Sequence, residues 1–308
     1  MNSPAARSRF SFFILLVLAF VLAQPVFAAT PAAAPHKRVL FVLSEYGYWG
    51  EELVAPLQAL DAAGYRSDFA TPKGTKPLAL PPSMDPSYVD PPLGKTVTTP
   101  EMAKKTKDLE ASDRLNKPIN LSNWLPMKPY LSSPTYLNDL FAYNDALDKV
   151  ATEISGYDAL VIVGGSGPIL DVANNKRVQD LVRMFIKQDK PILGICYGVA
   201  ALAFTRDEVT EKSILYGKRV TGHPIVHDYN DGHGYLRVDG GFPGAPYPLE
   251  YVLKDAVGPE GQFIGNVGKR YSVIVDFPVI TARTTFDSAL AGEKLIEVVA
   301  KGLRRYGW

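Results

Sequence analysis

Pro191-Ile-Leu-Gly-Ile-Cys-Tyr-Gly198 is an apolar run, 191–195, that ends in the pattern G-x-C-x-G, with Gly194 and Gly198 on either side of Cys196. A short, wholly apolar run has the composition of a strand buried on both faces, as in a parallel sheet. Small and apolar residues follow from Val199 to Phe204 and read as the start of a helix. Glycine on both sides of the cysteine permits a sharp strand-to-helix turn, which lifts the central side chain to the C-terminal edge of the sheet. Cys196 is the one cysteine of the 308-residue chain, so no intramolecular disulfide competes for it.

Outward from this turn the chain alternates strands and helices. Upstream, Gly156-Tyr-Asp-Ala-Leu-Val-Ile-Val163 is a strand with its entry turn, and Gly164-Gly-Ser-Gly-Pro168 follows it directly. Asn175 to Lys187 is helical, with Val178, Leu181, Val182 and Phe185 on one face. Arg38 to Leu43 is a first buried strand, Glu51 to Ala63 a helix stopped by Gly64, and Arg66 to Ala70 a second strand. Leu137 to Ile154 is an amphipathic helix. The pattern predicts an α/β fold, a doubly wound and mostly parallel sheet sandwiched by helices, flavodoxin-like in type. The C-terminal part is mixed. Short strands are expected at 220–226, 235–238, 271–275 and 279–281, and helices at 249–257 and 288–302.

Two segments stand outside this rhythm. Residues 1–28 carry Arg7 and Arg9, an apolar run from Phe10 to Ala23 and small residues before Ala29, which is the pattern of a signal peptide. Residues 29–37 form an Ala/Pro-rich leader, and the domain is expected to span 38–308. The expected location is therefore the periplasm or the exterior, with no stable membrane insertion after cleavage. The second segment, Thr71 to Pro134, is dense in Pro, Lys, Ser and Asp, and reads as an insertion with one helix over 101–115. An insertion of this length in a compact domain often serves as a lid or a subunit contact.

Composition narrows the functions. With 46% apolar and 21% charged residues the chain is globular, and its net charge of +1 gives no electrostatic case for nucleic acid. No Cys/His metal cluster and no P-loop is present. Cys196, by contrast, stands at a helix N-terminus, where partial positive charge favours a thiolate. The N–H groups of Tyr197, just after it, and of Gly165, at the end of the preceding strand, are placed to face an oxyanion. Glu52 opens the helix after the first strand and converges on the same sheet edge, with Glu51 as the competing acid. Next to a thiolate such a carboxyl stays neutral, since two adjacent anions repel.

Taken together, the first strand, Glu52 four residues before Pro56, Tyr157-Asp-Ala-Leu-Val-Ile-Val-Gly-Gly165, the turn at Cys196, Val220-Thr-Gly222 and the segment Val275-Asp276 to Ile280-Thr281 resemble the ThiJ/PfpI superfamily, of class I glutamine amidotransferase-like fold. The length and Asp85-Pro-Ser87 resemble its glyoxalase III and holding-chaperone branch. The resemblance implies Cys196 as nucleophile, Glu52 as its protonated partner, and the Gly165 and Tyr197 amides as oxyanion hole. It implies small carbonyl substrates such as methylglyoxal, no added cofactor, and frequent homodimers. Glyoxalase-type members commonly carry His directly after the cysteine, where this chain has Tyr197, and often where it has Ser166. The segment Thr221-Gly-His-Pro-Ile-Val-His-Asp228 offers substitutes, and His227 and Asp228, 31 and 32 residues past the cysteine, are the candidates for the remaining catalytic positions. His233 reads as a loop residue. The missing histidine leaves an alternative open, a non-catalytic redox sensor or holding chaperone of the same fold.

Overall fold

The computed structural model describes residues 36–228, 238–239, 242–243 and 247–308. The signal segment, most of the leader, His233 and most of the strand expected at 235–238 lie outside the described residues. His36–Trp308 forms one unit. Its main elements are β1 (Arg38–Val42), α1 (Gly50–Ala62), β2 (Arg66–Thr71), α2 (Pro100–Ala111), β3 (Ile119–Asn120), α3 (Tyr136–Ile154), β4 (Ala159–Ile162), α4 (Lys176–Lys187), β5 (Ile192–Ile195), α5 (Val199–Phe204), α6 (Leu249–Val257), β6 (Val273–Asp276), β7 (Val279–Ala282), α7 (Ser288–Lys301) and β8 (Arg305–Tyr306).

One sheet carries these strands in the order β8-β6-β7-β5-β4-β1-β2-β3. The pairs from β7 through to β3 are parallel. Only β6 runs antiparallel, to both β7 and β8. The central strands are apolar runs because both faces are covered. Val39, Leu40, Phe41 and Val42 of β1, and Ala159 to Ile162 of β4, are fully buried. The chain moves outward from β1 to β2 and the opposite way from β4 to β5. Right-handed crossovers then place α1 and α4 on opposite faces. The loops after β1 and β4 diverge at that point, and the crevice they leave at the strands' C-terminal ends is where ligands bind in such sheets.

The insertion is more ordered than its proline content implies. Thr99 caps α2, its side chain accepting from Met102 N at 3.1 Å. The helix ends at Ala111, short of the expected Leu115, because Ser112 turns the chain into a 3-10 turn, Asp113–Leu115. α2 packs against α1. β3 extends the sheet at its edge. The expected strand over 220–226 shrinks to Arg219–Val220, paired with Gln262–Phe263. Pro224 then starts a 3-10 turn, Ile225–His227. Among the described residues, no helix is long and apolar enough to cross a membrane.

Candidate active site

Cys196 leaves β5 with φ +52°, in the left-handed region. That conformation costs a non-glycine residue roughly 1–2 kcal/mol, so the surrounding packing must impose it. The packing is visible at Gly198, whose backbone angles are ordinary and helical. A Cβ there would stand 2.5 Å from the Ile162 carbonyl oxygen and 3.0 Å from that of Val163. Glycine is required because the turn presses on β4, rather than for conformational freedom. Gly198→Ala should therefore lose about 2 kcal/mol of stability, read as a lower urea midpoint at constant m-value.

Glu52 meets the cysteine from the other side. It is 2% exposed. A Cβ on Gly164 would fall 2.9 Å from Cys196 Cβ and would collide with Glu52 Oε2. Gly164 thus leaves the space in which the carboxyl and the thiol stand side by side. Burial pushes Glu52 up to about 8, and the charges of Glu51 and Asp287 add to this. The thiol and the Gly164 backbone pull the other way, although Oε2 completes no hydrogen bond of normal geometry. Glu52 is therefore a neutral acid at pH 7. Glu51, the competing acid, turns away and accepts from Thr285 Oγ1 at 3.0 Å.

The sign of the linkage follows. Between its ordinary 4.5 and about 8, the folded chain keeps a proton on Glu52 that the unfolded chain has released. Stability from this group therefore falls as pH rises through that window, by about 5 kcal/mol at most. Glu52→Gln should flatten this slope. Its melting temperature should exceed that of the wild type at pH 8.5 and lose the advantage by pH 5.

Burial also pushes the Cys196 thiol up, and a charged Glu52 would push it further, while N–H groups of Tyr197 and Gly165 directed at the sulfur lower it. Both expected oxyanion donors therefore lie at the sulfur. Gly165 reaches it with φ +94°, and a Cβ there would meet Trp49 N at 2.6 Å. The helix N-terminus does not outweigh burial in this site, so the thiol needs a base.

His223 is the histidine that stands beside the thiol. Its Nδ1 lies 3.4 Å from Cys196 Sγ, and its Nε2 lies 3.0 Å from Asp228 Oδ1. A carboxylate only accepts, so in a neutral imidazole the hydrogen belongs on Nε2, which leaves Nδ1 to accept from the thiol. The structure thus brings His223, rather than the expected His227, to the sulfur. The His227 ring packs T-shaped against His223, with centroids 5.6 Å apart. Burial holds His227 down at about 4, helped by the charges of His223, Arg283 and Lys95, so it is neutral at pH 7. Asp228 stands behind His223, on the far side of the ring from the sulfur.

Tyr197, in the place of the expected histidine, donates its phenol hydrogen to the same Asp228 oxygen. Its ring stacks on His223, with centroids 4.5 Å apart and planes 24° from parallel. The insertion reaches this cluster with a hairpin, Val89–Asp90 against Lys95–Thr96. The charge of Asp90 acts on Tyr197, and that of Lys95 on His227. The insertion also holds the loop before Glu52. Tyr48 N donates to Leu78 O at 3.2 Å, and the buried Tyr48 phenol donates to Glu110 of α2. Sequence reasoning had both histidines in view and lacked the turn at Pro224 that turns His223 to the sulfur. Among the described residues, no group of His, Cys, Asp and Glu is arranged to hold a metal ion.

Comparisons with known proteins agree with this architecture. A model of the ThiJ/PfpI family-like group matches residues 43–216, and a model of the DJ-1/PfpI family matches residues 138–297. The protein/nucleic acid deglycase HchA of Pseudomonas aeruginosa is 26% identical over 255 residues, spanning 82% of this chain and 71% of that protein. Protein DJ-1 homolog D of Arabidopsis thaliana is 26% identical over 191 residues, 62% of this chain and 36% of its own length. Glyoxalase III from Candida albicans superposes with a TM-score of 0.57 at 17% identity, over 86% of this chain and 98% of that one. The Rapid Encystment Protein 24 kDa of Francisella tularensis superposes at 0.58 and 19%, over 85% and 99%.

Proposed function

We propose, from the premise that this chain belongs to the ThiJ/PfpI family, that it is a cysteine enzyme acting on small reactive carbonyl compounds, with a 2-oxoaldehyde such as methylglyoxal as substrate. One observation carries the reading. Cys196 Sγ has a histidine nitrogen at 3.4 Å, a neutral carboxylic acid beside it and two N–H groups directed at it. These are a nucleophile, a base, an acid and an oxyanion hole at one point. A protein/nucleic acid deglycase among the relatives and a glyoxalase III among the structural neighbours support an enzyme of this family. Export through residues 1–28 belongs to the proposal.

His223 Nδ1 takes the thiol proton as Sγ adds to the aldehyde carbon, C1. The Gly165 and Tyr197 N–H groups hold the oxygen as it gains charge, and the proton returns from His223 to that oxygen, giving a hemithioacetal. His223 then removes the C1 hydrogen while Glu52 protonates the neighbouring carbonyl oxygen, which gives an enediol. His223 returns its proton to C2, and Glu52 recovers one from the C1 hydroxyl, leaving a thioester of a 2-hydroxy acid. C1 has been oxidised and C2 reduced, with no external electron acceptor. Water, deprotonated by His223, attacks the thioester, and the departing sulfur takes that proton back. The sum is 2-oxoaldehyde plus water giving 2-hydroxy acid.

The test is incubation of the purified protein with methylglyoxal and enzymatic assay of lactate. Lactate formation that is lost in Cys196→Ala supports the reading. If wild type and Cys196→Ala both give only the background rate with methylglyoxal, glyoxal and phenylglyoxal, the reading is wrong.

A further inference from the structure

The side chain of Tyr197 has no place in the sequence of steps above, yet it is buried against the group that performs most of them. We propose that Tyr197 is a positioning residue, clamping His223 and Asp228 so that Nδ1 faces Cys196 and Nε2 stays on Asp228. The inference rests on the reading of His223 as base, and it stands on three contacts. The Tyr197 phenol donates to Asp228 Oδ1. The same oxygen meets His223 Nε2 at 3.0 Å. The Tyr197 ring covers one face of the imidazole, 4.5 Å between centroids.

An imidazole held only through Nε2 can still swing about that hydrogen bond, and a small rotation would carry Nδ1 off the sulfur. Stacking removes that freedom. The phenol holds the acceptor as well, since an Asp228 fixed by two donors cannot follow a rotated ring. Burial and the Asp228 charge push Tyr197 up, so the phenol remains a donor at any physiological pH. The charged and titratable groups around the clamp include Cys196 and Glu52 on one side, His227 on the same loop as His223, Asp90 and Lys95 from the hairpin, and Arg283. His227 is neutral at pH 7 and packs T-shaped against His223 instead of stacking on it, so it does not replace Tyr197. Flat stacking also favours the cation that His223 becomes when it takes the thiol proton, because the face of a phenol ring carries partial negative charge.

Two variants separate the parts of the clamp. Tyr197→Phe keeps the ring and the backbone N–H but removes the hydrogen bond to Asp228. Tyr197→Ala removes both side-chain contacts and keeps the N–H. The readouts are kcat and KM with methylglyoxal, and the side-chain nitrogen signals of 15N-histidine-labelled protein, with His223 assigned through His223→Gln. The expected result is a kcat about 10-fold lower for Phe and about 100-fold lower for Ala, with KM within about threefold of wild type. The His223 nitrogens should report one tautomer, hydrogen on Nε2, in wild type, and an averaged pair in Tyr197→Ala. A wild-type kcat and an unchanged single tautomer in both variants would overturn the proposal. The tautomer readout needs no turnover. A protein that converts no carbonyl substrate but loses its single tautomer in Tyr197→Ala would keep the clamp and sink the proposed reaction.

Discussion

His223→Ala should lower kcat for methylglyoxal by about 10²- to 10⁴-fold, while His227→Ala should change it by less than about threefold. The first range is the usual worth of a positioned general base. Here it falls towards the upper end, because the thiol has no other route to its reactive form. Burial pushes Cys196 up, and Glu52 is protonated at pH 7, so neither burial nor this carboxyl favours the thiolate. His223 is also called on again, to move the C1 proton and to activate water, so its loss affects each step. His227 is spared because it packs T-shaped against His223, away from the reacting atoms, and stays neutral. Steady-state kinetics on the two variants decide the matter. Equal losses in both would move the base from one histidine to the pair.

Cys196→Ala should abolish conversion, with kcat at least about 10⁴-fold down, because removal of the nucleophile removes the covalent path rather than one contribution to it. The fold should survive. The site loses one small buried atom group, and the elbow is held by the close approach of Gly198 to Ile162 and Val163, which alanine at 196 leaves in place. Retained urea midpoint with lost turnover would separate catalysis from folding. Cys196→Ser should behave almost the same, since burial raises the barrier to ionising a hydroxyl still further. A Cys196→Ala protein with wild-type turnover would eliminate the covalent mechanism altogether.

Much of the fold and half of the site could be read from the chain, and the division has a physical basis. The buried strands announce themselves because parallel strands covered on both faces must be apolar along their whole length, as 39–42 and 159–162 are. Cys196, Gly165 and the Tyr197 amide were legible because each is fixed by the few residues beside it at a strand end. Glu52 could be placed because the first residues of a helix after a parallel strand return to the same sheet edge. His223 could not be told from His227 on spacing. The choice depends on the 3-10 turn that starts after Pro224 and on Gly222, where a Cβ would meet Leu253 Cδ1 of α6 at 2.5 Å. That contact is long-range and leaves no local periodicity. The insertion was obscure for a similar reason. Its hold on the site runs through Tyr48 and Glu110, residues 62 apart in the chain. The substitution of Tyr for His at 197 argued against catalysis in the sequence. In the structure the same tyrosine stacks on a histidine supplied from elsewhere.

The base-activated thiol is tested most directly by the pH dependence of Cys196 alkylation with iodoacetamide, wild type against His223→Ala, followed by intact mass. A single cysteine makes the label unambiguous. The expected result is appreciable alkylation of the wild type near neutral pH and, in His223→Ala, reaction only at strongly alkaline pH, as burial alone dictates. Superimposable profiles for the two proteins would show that His223 does not activate Cys196.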